Sequence, residues 1–167
     1  MITQEQVKTL FNYDPETGLL TRKINKNTAK KGDFCGSVVG KGYKVGRGYL
    51  ATRINGKLYP NHRIAFIYVH GYLPEQIDHI NNKHTDNRIV NLRGCTNSQN
   101  ALNKPIRKDN KSGVKGVYWG SNIKKWRTEV TCHGVTENCG NYGDIEDARI
   151  AVEKARARLH KEFCNHG

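Results

Sequence analysis

The residue types able to do chemistry gather in one stretch, Glu75 to Asn103. It runs Gln76-Ile77-Asp78-His79-Ile80, then a polar loop from Asn81 to Arg88, then Ile89-Val90-Asn91-Leu92-Arg93, and closes with Asn97-Ser98-Gln99-Asn100-Ala101-Leu102-Asn103. A carboxylate beside an imidazole, Asp78 beside His79, is what metal-assisted phosphodiester cleavage needs. The oxygen ligand holds a hard cation on the scissile phosphate, and the neutral imidazole takes a proton from the attacking water. An isolated Asp-His pair is ordinarily a surface turn, and an Asn-rich loop an ordinary polar one. The pattern around the pair gives it weight: two short strands flanking the polar loop, followed by a helix, would bring Asp78, His79 and one helix face together.

The elements that must position them can be read outward from that stretch. Upstream, Thr3 and Gln6 form a capping box, with Ile2 and Val7 placed for a hydrophobic staple, and predict a helix to about Leu10. Tyr13-Asp14-Pro15-Glu16-Thr17-Gly18-Leu19 puts Pro and Gly in a turn between apolar ends, a hairpin signal. Tyr49 to Ile54 alternates into Asn55-Gly56 and returns through Lys57-Leu58-Tyr59, a second hairpin. Asn61 is predicted to cap a helix bearing Ile64, Ala65, Tyr68 and Val69 that ends at Gly71 and Pro74. Downstream, strands are predicted at Gly116 to Trp119, Trp126 to Cys132 and Asn138 to Tyr142. A helix capped by Asp144 follows, with Ala148, Ala151, Val152, Ala155 and Leu159 on its packed face and Arg149, Lys154, Arg156 and Lys161 opposite.

Composition limits the function classes. Lys and Arg total 28 against 15 Asp and Glu over 167 residues, a net charge of +13. Such a surplus implies a polyanionic partner, nucleic acid ahead of an acidic membrane surface. The longest apolar run, Ile64 to Val69, is too short to span a bilayer, and no secretory signal pattern opens the chain. A soluble, cytoplasmic protein is expected, in the host cytoplasm if phage-encoded. The 5 cysteines are widely spaced without a Cys-x-x-Cys pair, so they read as free thiols rather than disulfides or a zinc ribbon. Residues 21 to 47 and 104 to 127 each hold eight Lys or Arg, and both stretches are read as tracking phosphates.

The run from Asp78 to Asn100 resembles the HNH endonucleases, in the phage and intron subgroup with Asp-His in the first strand, Asn-Leu in the second and Asn in the helix. The resemblance extends over roughly Phe11 to Lys104. It implies a ββα-metal fold in which Asp78 and Asn100 bind a divalent ion, Mg2+ or another such as Mn2+, His79 is the general base, and Asn91 pins the hairpin so that His79 points correctly. Asn103, one turn on, is the reserve ligand. An amide at position 100 makes a softer, zinc-preferring site a poor fit. His62 belongs to the lead-in of this pattern without an assigned role. His70, His84, His133, His160 and His166 are read as solvated or capping residues.

Ser112-Gly113-Val114-Lys115-Gly116-Val117-Tyr118-Trp119, Lys125-Trp126-Arg127-Thr128-Glu129-Val130, Gly140-Asn141-Tyr142 and the Ala-rich helix resemble the plant Apetala/ethylene-response-factor DNA-binding domains. Those domains also occur fused to phage HNH nucleases. That resemblance implies a sheet in the major groove with Lys115, Lys125 and Arg127 as contacts. Trp119 and Trp126 are either contacts or core, and Lys108 and Lys111 join from the basic linker.

The expectation is therefore an α+β chain: an HNH domain over 1–104, a linker over 105–112, and a small three-stranded antiparallel sheet on one helix over 113–167. It would be a phage homing endonuclease on double-stranded DNA, a monomer or weak dimer without an obligatory protein partner. Two rivals are a DNA-binding regulator with a vestigial nuclease fold and an RNA-binding protein.

Overall fold

Thr3 opens the first helix as its side chain predicts. Its hydroxyl accepts from the Gln6 amide, the Gln6 side chain accepts from the Thr3 amide, and α1 runs Gln4–Leu10. In the computed structural model, which describes residues 2–25, 28–39 and 48–167, the chain is α+β and divides into two compact units, Met1–Cys95 and Thr96–Gly167. Lys26, Lys41, Lys44 and Arg47 of the first basic stretch lie outside the described residues. Among the described residues no helix is long and apolar enough to cross a membrane.

In the first unit, β1 (Phe11–Tyr13) and β2 (Leu20–Arg22) form the predicted hairpin, antiparallel with Phe11 opposite Arg22. A second sheet has the order β3 (Ser37–Val38), β4 (Leu50–Ile54), β5 (Lys57–Pro60). Its β4–β5 turn is Asn55-Gly56, with both φ angles positive at 47° and 80°, the twist that a two-residue hairpin requires. Helix α2 (Asn61–His70) ends on Gly71 in the left-handed region. It buries Ile64, Ala65, Phe66 and Ile67 in a core shared with Val7, Phe11, Leu20, Ile77 and Leu92.

Asn61 does not cap α2, whose N-cap is Pro60 without a side-chain bond. Its buried amide instead accepts from Thr52 Oγ1 at 2.8 Å and donates to the Cys35 carbonyl at 2.7 Å, tying helix, sheet and preceding loop together. The unit closes with β6 (Gln76–His79) antiparallel to β7 (Leu92–Cys95). The second strand begins later than predicted, because Ile89–Asn91 form a single 3₁₀ turn.

In the second unit, α3 (Asn97–Leu102) starts on a Thr96–Gln99 capping box. Residues 96–104, read from sequence as part of the nuclease domain, are held within this unit by Lys115 and Asn165. The Lys115 ammonium donates to the Leu102 and Lys104 carbonyls, and the Asn165 amide donates to the Asn103 carbonyl at 2.7 Å. The antiparallel sheet β8 (Val117–Gly120), β9 (Lys125–Cys132), β10 (Val135–Tyr142) packs on α4 (Ile145–His160). Val117, Val130, Ala148, Val152 and Ala155 form its core. Arg156, predicted on the solvated face of α4, is buried: its guanidinium donates to the Lys115 carbonyl and meets the His166 ring.

Candidate functional site

Strand register fixes the first half of the site. Asp78 and Arg93 are direct partners across β6 and β7, so their side chains leave the same face. Arg93 Nε and Nη2 both donate to Asp78 Oδ2, at 2.8 and 2.6 Å. The pair is mostly buried, with side-chain exposures of 16% and 5%. An isolated carboxylate would be costly there, and the guanidinium compensates its charge and orients it. Sequence reasoning passed over Arg93, although an Arg opposite an Asp in adjacent strands was available as a signal.

The loop between the strands is braced by Asn91. Its Oδ1 accepts from the Asn81 amide at 3.0 Å, and its Nδ2 donates to the Asp86 carbonyl at 2.8 Å. Its own carbonyl accepts from Ile80. Asp86 is clamped in turn by the Arg88 guanidinium and Asn81, and the Arg88 bonds hold its carboxyl well below the usual range. Asn91 thus ties the loop at Asn81 and at Asp86.

His79, on the last residue of β6, is 3% exposed. Its Nε2 lies 3.2 Å from Asn87 Oδ1. Burial lowers its pKa from the ordinary value, partly opposed by the Asn87 bond, so the imidazole stays neutral over a wider pH range. Three more rings surround it. His62 meets it edge-to-face at 5.1 Å, Tyr49 lies at 5.9 Å, and His84 at 5.9 Å. Tyr49 stacks on His84 at 4.4 Å and also touches His62.

His84, left out of the site by sequence reasoning, therefore belongs to its ring cluster. His62 is buried with Nδ1 unpartnered, and burial beside His79 pushes its pKa down to about 3. Cys95 flanks Asp78 and Arg93, but burial raises its pKa to about 11, which makes it an inert thiol. All five cysteines are free, as expected.

Asn100 lies half-exposed on α3 in the second unit, whereas Asp78, His79 and Asn91 lie in the first. Asn103 is buried, and its side-chain oxygen accepts from Asn165 at 3.2 Å. Among the described residues, no three His, Cys, Asp or Glu side chains form a metal-holding group. The donor type suits a hard ion: Asp78 offers a carboxylate, which Arg93 already holds through Oδ2.

The second unit sorts the remaining candidates by sheet face. Tyr118 pairs with Arg127 and Gly120 with Lys125. Alternation sets these side chains opposite the face that packs on α4. Arg127 lies 5.9 Å from the Tyr118 ring, and the Tyr118 hydroxyl donates to Glu129 on the same face. Trp119 and Trp126 are direct partners on the helix side and meet edge-to-face at 5.1 Å. Trp126 packs against the core, and Trp119 is 50% exposed.

Lys108 and Lys111 are exposed. Lys115 is not a surface cation: its ammonium donates to three carbonyls, those of Leu102, Lys104 and Asn165. Burial, then the nearby Arg156 charge, brings its pKa down to about 8.

Residues 59–102 match the HNH endonuclease family. Two viral relatives extend the likeness. One, named "Protein 3.8", from Escherichia phage T7, is 31% identical over 88 residues, covering 53% of this chain and 72% of the relative. The other is an uncharacterized HNH endonuclease of Acanthamoeba polyphaga mimivirus, 28% identical over 126 residues, covering 74% of this chain and 65% of the relative. No solved structure matches the chain.

Proposed function

The chain belongs to one family with phage T7 "Protein 3.8" and carries an HNH endonuclease domain over residues 59–102, and from that premise we propose that it is a metal-dependent DNA endonuclease, a phage homing enzyme, with His79 as general base. The observation that carries the reading is the buried, neutral His79 one residue from the Arg93-braced Asp78. A general base must hold a lone pair at working pH, and burial supplies that here.

Asp78 would hold the divalent ion, Mg2+ or Mn2+, with Asn100 as second ligand on the sequence pattern alone. When bound, the ion supplies Lewis-acid stabilisation of phosphate charge. Arg93 orients the Asp78 carboxylate. His79 accepts the proton of the attacking water, Asn91 holds the loop that follows His79, and the surrounding rings limit entry of bulk water.

Lys125 and Arg127, on the sheet face opposite α4, would grip duplex DNA with Lys108 and Lys111, while Trp119 and Trp126 stiffen the rim of that sheet. The unit would then act on DNA as the Apetala-type domains do. A single active site per chain would nick one strand per event. Incubating the protein with supercoiled plasmid, with Mg2+ and with a chelator, tests the reading. Open-circular product that the chelator abolishes is expected, and no product under either condition would refute it.

A further inference from the structure

Helix α3 spans 6 residues and buries none of them. Isolated helices below about 12–15 residues are marginal in water, so its support has to come from outside it. The Thr96–Gln99 capping box closes its first turn.

The carbonyls at and just past the far end of a helix have no partner within it. In α3 those of Leu102, Asn103 and Lys104 are each met by a side chain from elsewhere in the same unit. The Lys115 ammonium donates to Leu102 at 3.2 Å and to Lys104 at 2.6 Å, and between them the Asn165 amide donates to Asn103 at 2.7 Å. The remaining Lys115 donor reaches the Asn165 carbonyl at 3.2 Å. The two side chains therefore form one clasp, which also sets a positive charge at the negative end of the helix.

Both arms are fixed from behind. The Lys115 carbonyl accepts from the buried Arg156 guanidinium. Gly116 follows with φ +76°, where a Cβ would collide with the Glu129 carbonyl. The Asn165 oxygen accepts from the Gly167 amide at 2.9 Å, while its nitrogen faces a carbonyl. A backbone N–H only donates and a carbonyl only accepts, so both ends of this side-chain amide are assigned by their partners.

Residues 97–102 close the segment that matches the HNH family, and Lys115 and Asn165 lie beyond it. We propose that Lys115 and Asn165 are positioning residues of the nuclease, whose clasp keeps α3 folded and so presents Asn100 to the divalent ion. The proposal rests on Asn100 being a metal ligand, and its test is separable from that reading because the folding of α3 is observable without turnover. A ligand-carrying helix that is folded only part of the time binds its ion more weakly, in proportion to the folded fraction.

The experiment is hydrogen exchange by NMR in the full chain, alongside single-turnover nicking over a series of Mg2+ concentrations. In Asn165→Ala, exchange at the Asn100 amide, which donates to the Thr96 carbonyl, should quicken about 5- to 30-fold, as the loss of one or two hydrogen bonds implies. The Glu129 amide, bonded to the Gly116 carbonyl, should exchange as in the wild type. The Mg2+ concentration for half-maximal nicking should rise by up to the same factor and by no less than about three-fold. The rate at saturating Mg2+ and the DNA affinity should stay within about two-fold. A merely structural loss would instead lower that rate and leave the Mg2+ dependence in place. Asn165→Asp keeps the acceptor for Gly167 but loses the donor to Asn103, and should behave as Asn165→Ala does.

A folded Asn165→Ala protein with wild-type exchange at Asn100 overturns the clasp, and if that variant does not fold, Asn165→Asp decides by the same measurement. Faster exchange at Asn100 with unchanged Mg2+ dependence overturns its part in the reaction. A wild-type protein that does not nick refutes the nuclease reading, and the exchange result still decides whether the clasp holds α3.

Discussion

A buried imidazole with an unpaired nitrogen makes stability depend on pH, and His62 is such a group. Its pKa is about 3 in the folded protein against an ordinary 6.5. Between those values the unfolded chain binds a proton that the folded chain does not. Stability therefore falls by about 1.4 kcal/mol for each pH unit below 6.5 and is unaffected by His62 above it. His62→Phe should flatten that acid slope in urea unfolding at pH 4 to 6, and should match or exceed wild-type stability at pH 7. An unchanged slope would contradict the burial.

Lys115 gives the opposite lesson. Read from sequence as a DNA contact, it is an internal tie whose ammonium joins Leu102, Lys104 and Asn165. Lys115→Ala should lower the unfolding free energy of the second unit by about 1–3 kcal/mol, in line with unpaired interior polar groups. Lys125→Ala should leave that stability within about 0.5 kcal/mol. Thermal unfolding of the two variants separates the roles.

At the scale of elements, the loop from Ile80 to Asn91 depends on one side chain. Asn91→Ala removes the bonds to the Asn81 amide and the Asp86 carbonyl. It should speed amide exchange at Asn81 and reduce nicking about 10- to 100-fold, as loss of an outer support typically does. Hydrogen exchange by NMR checks the first part, and protection equal to wild type would refute it.

Local signals made much of this architecture legible: the Thr3 capping box, the Asn55-Gly56 turn and the alanine face of α4 all depend on neighbours in sequence. Asp78 and His79 stood out as a carboxylate beside an imidazole, and Asn91 through the likeness to the HNH pattern. What stayed hidden depends on tertiary partners. Ile89-Val90 has strand composition, but Asn91 closes the loop and holds it as a 3₁₀ turn. Arg156 sits where an exposed charge is ordinary, yet a backbone carbonyl and His166 satisfy it in the interior. His84 and Asn87 belong to a polar loop whose side chains acquire meaning only once Tyr13, Tyr49 and His62 close around them.

For the whole molecule, the +13 charge predicts affinity dominated by counterion release. Arg127→Ala and Lys125→Ala should each weaken DNA binding across sequences and reduce the slope of log affinity against log salt by about one. A truncation after Lys104 should lower both affinity and slope. The charge and the cleavage chemistry are separate properties in this account, because the groups proposed to hold phosphate lie apart in sequence from the ring cluster around His79.

The central claim is that His79 is the base of a metal-dependent nuclease. Single-turnover nicking of supercoiled plasmid at saturating protein, wild type beside His79→Ala, tests it most directly. A loss of about 10²- to 10⁴-fold in rate, with DNA affinity unchanged, is the predicted result. A His79→Ala protein that nicks at the wild-type rate would contradict it.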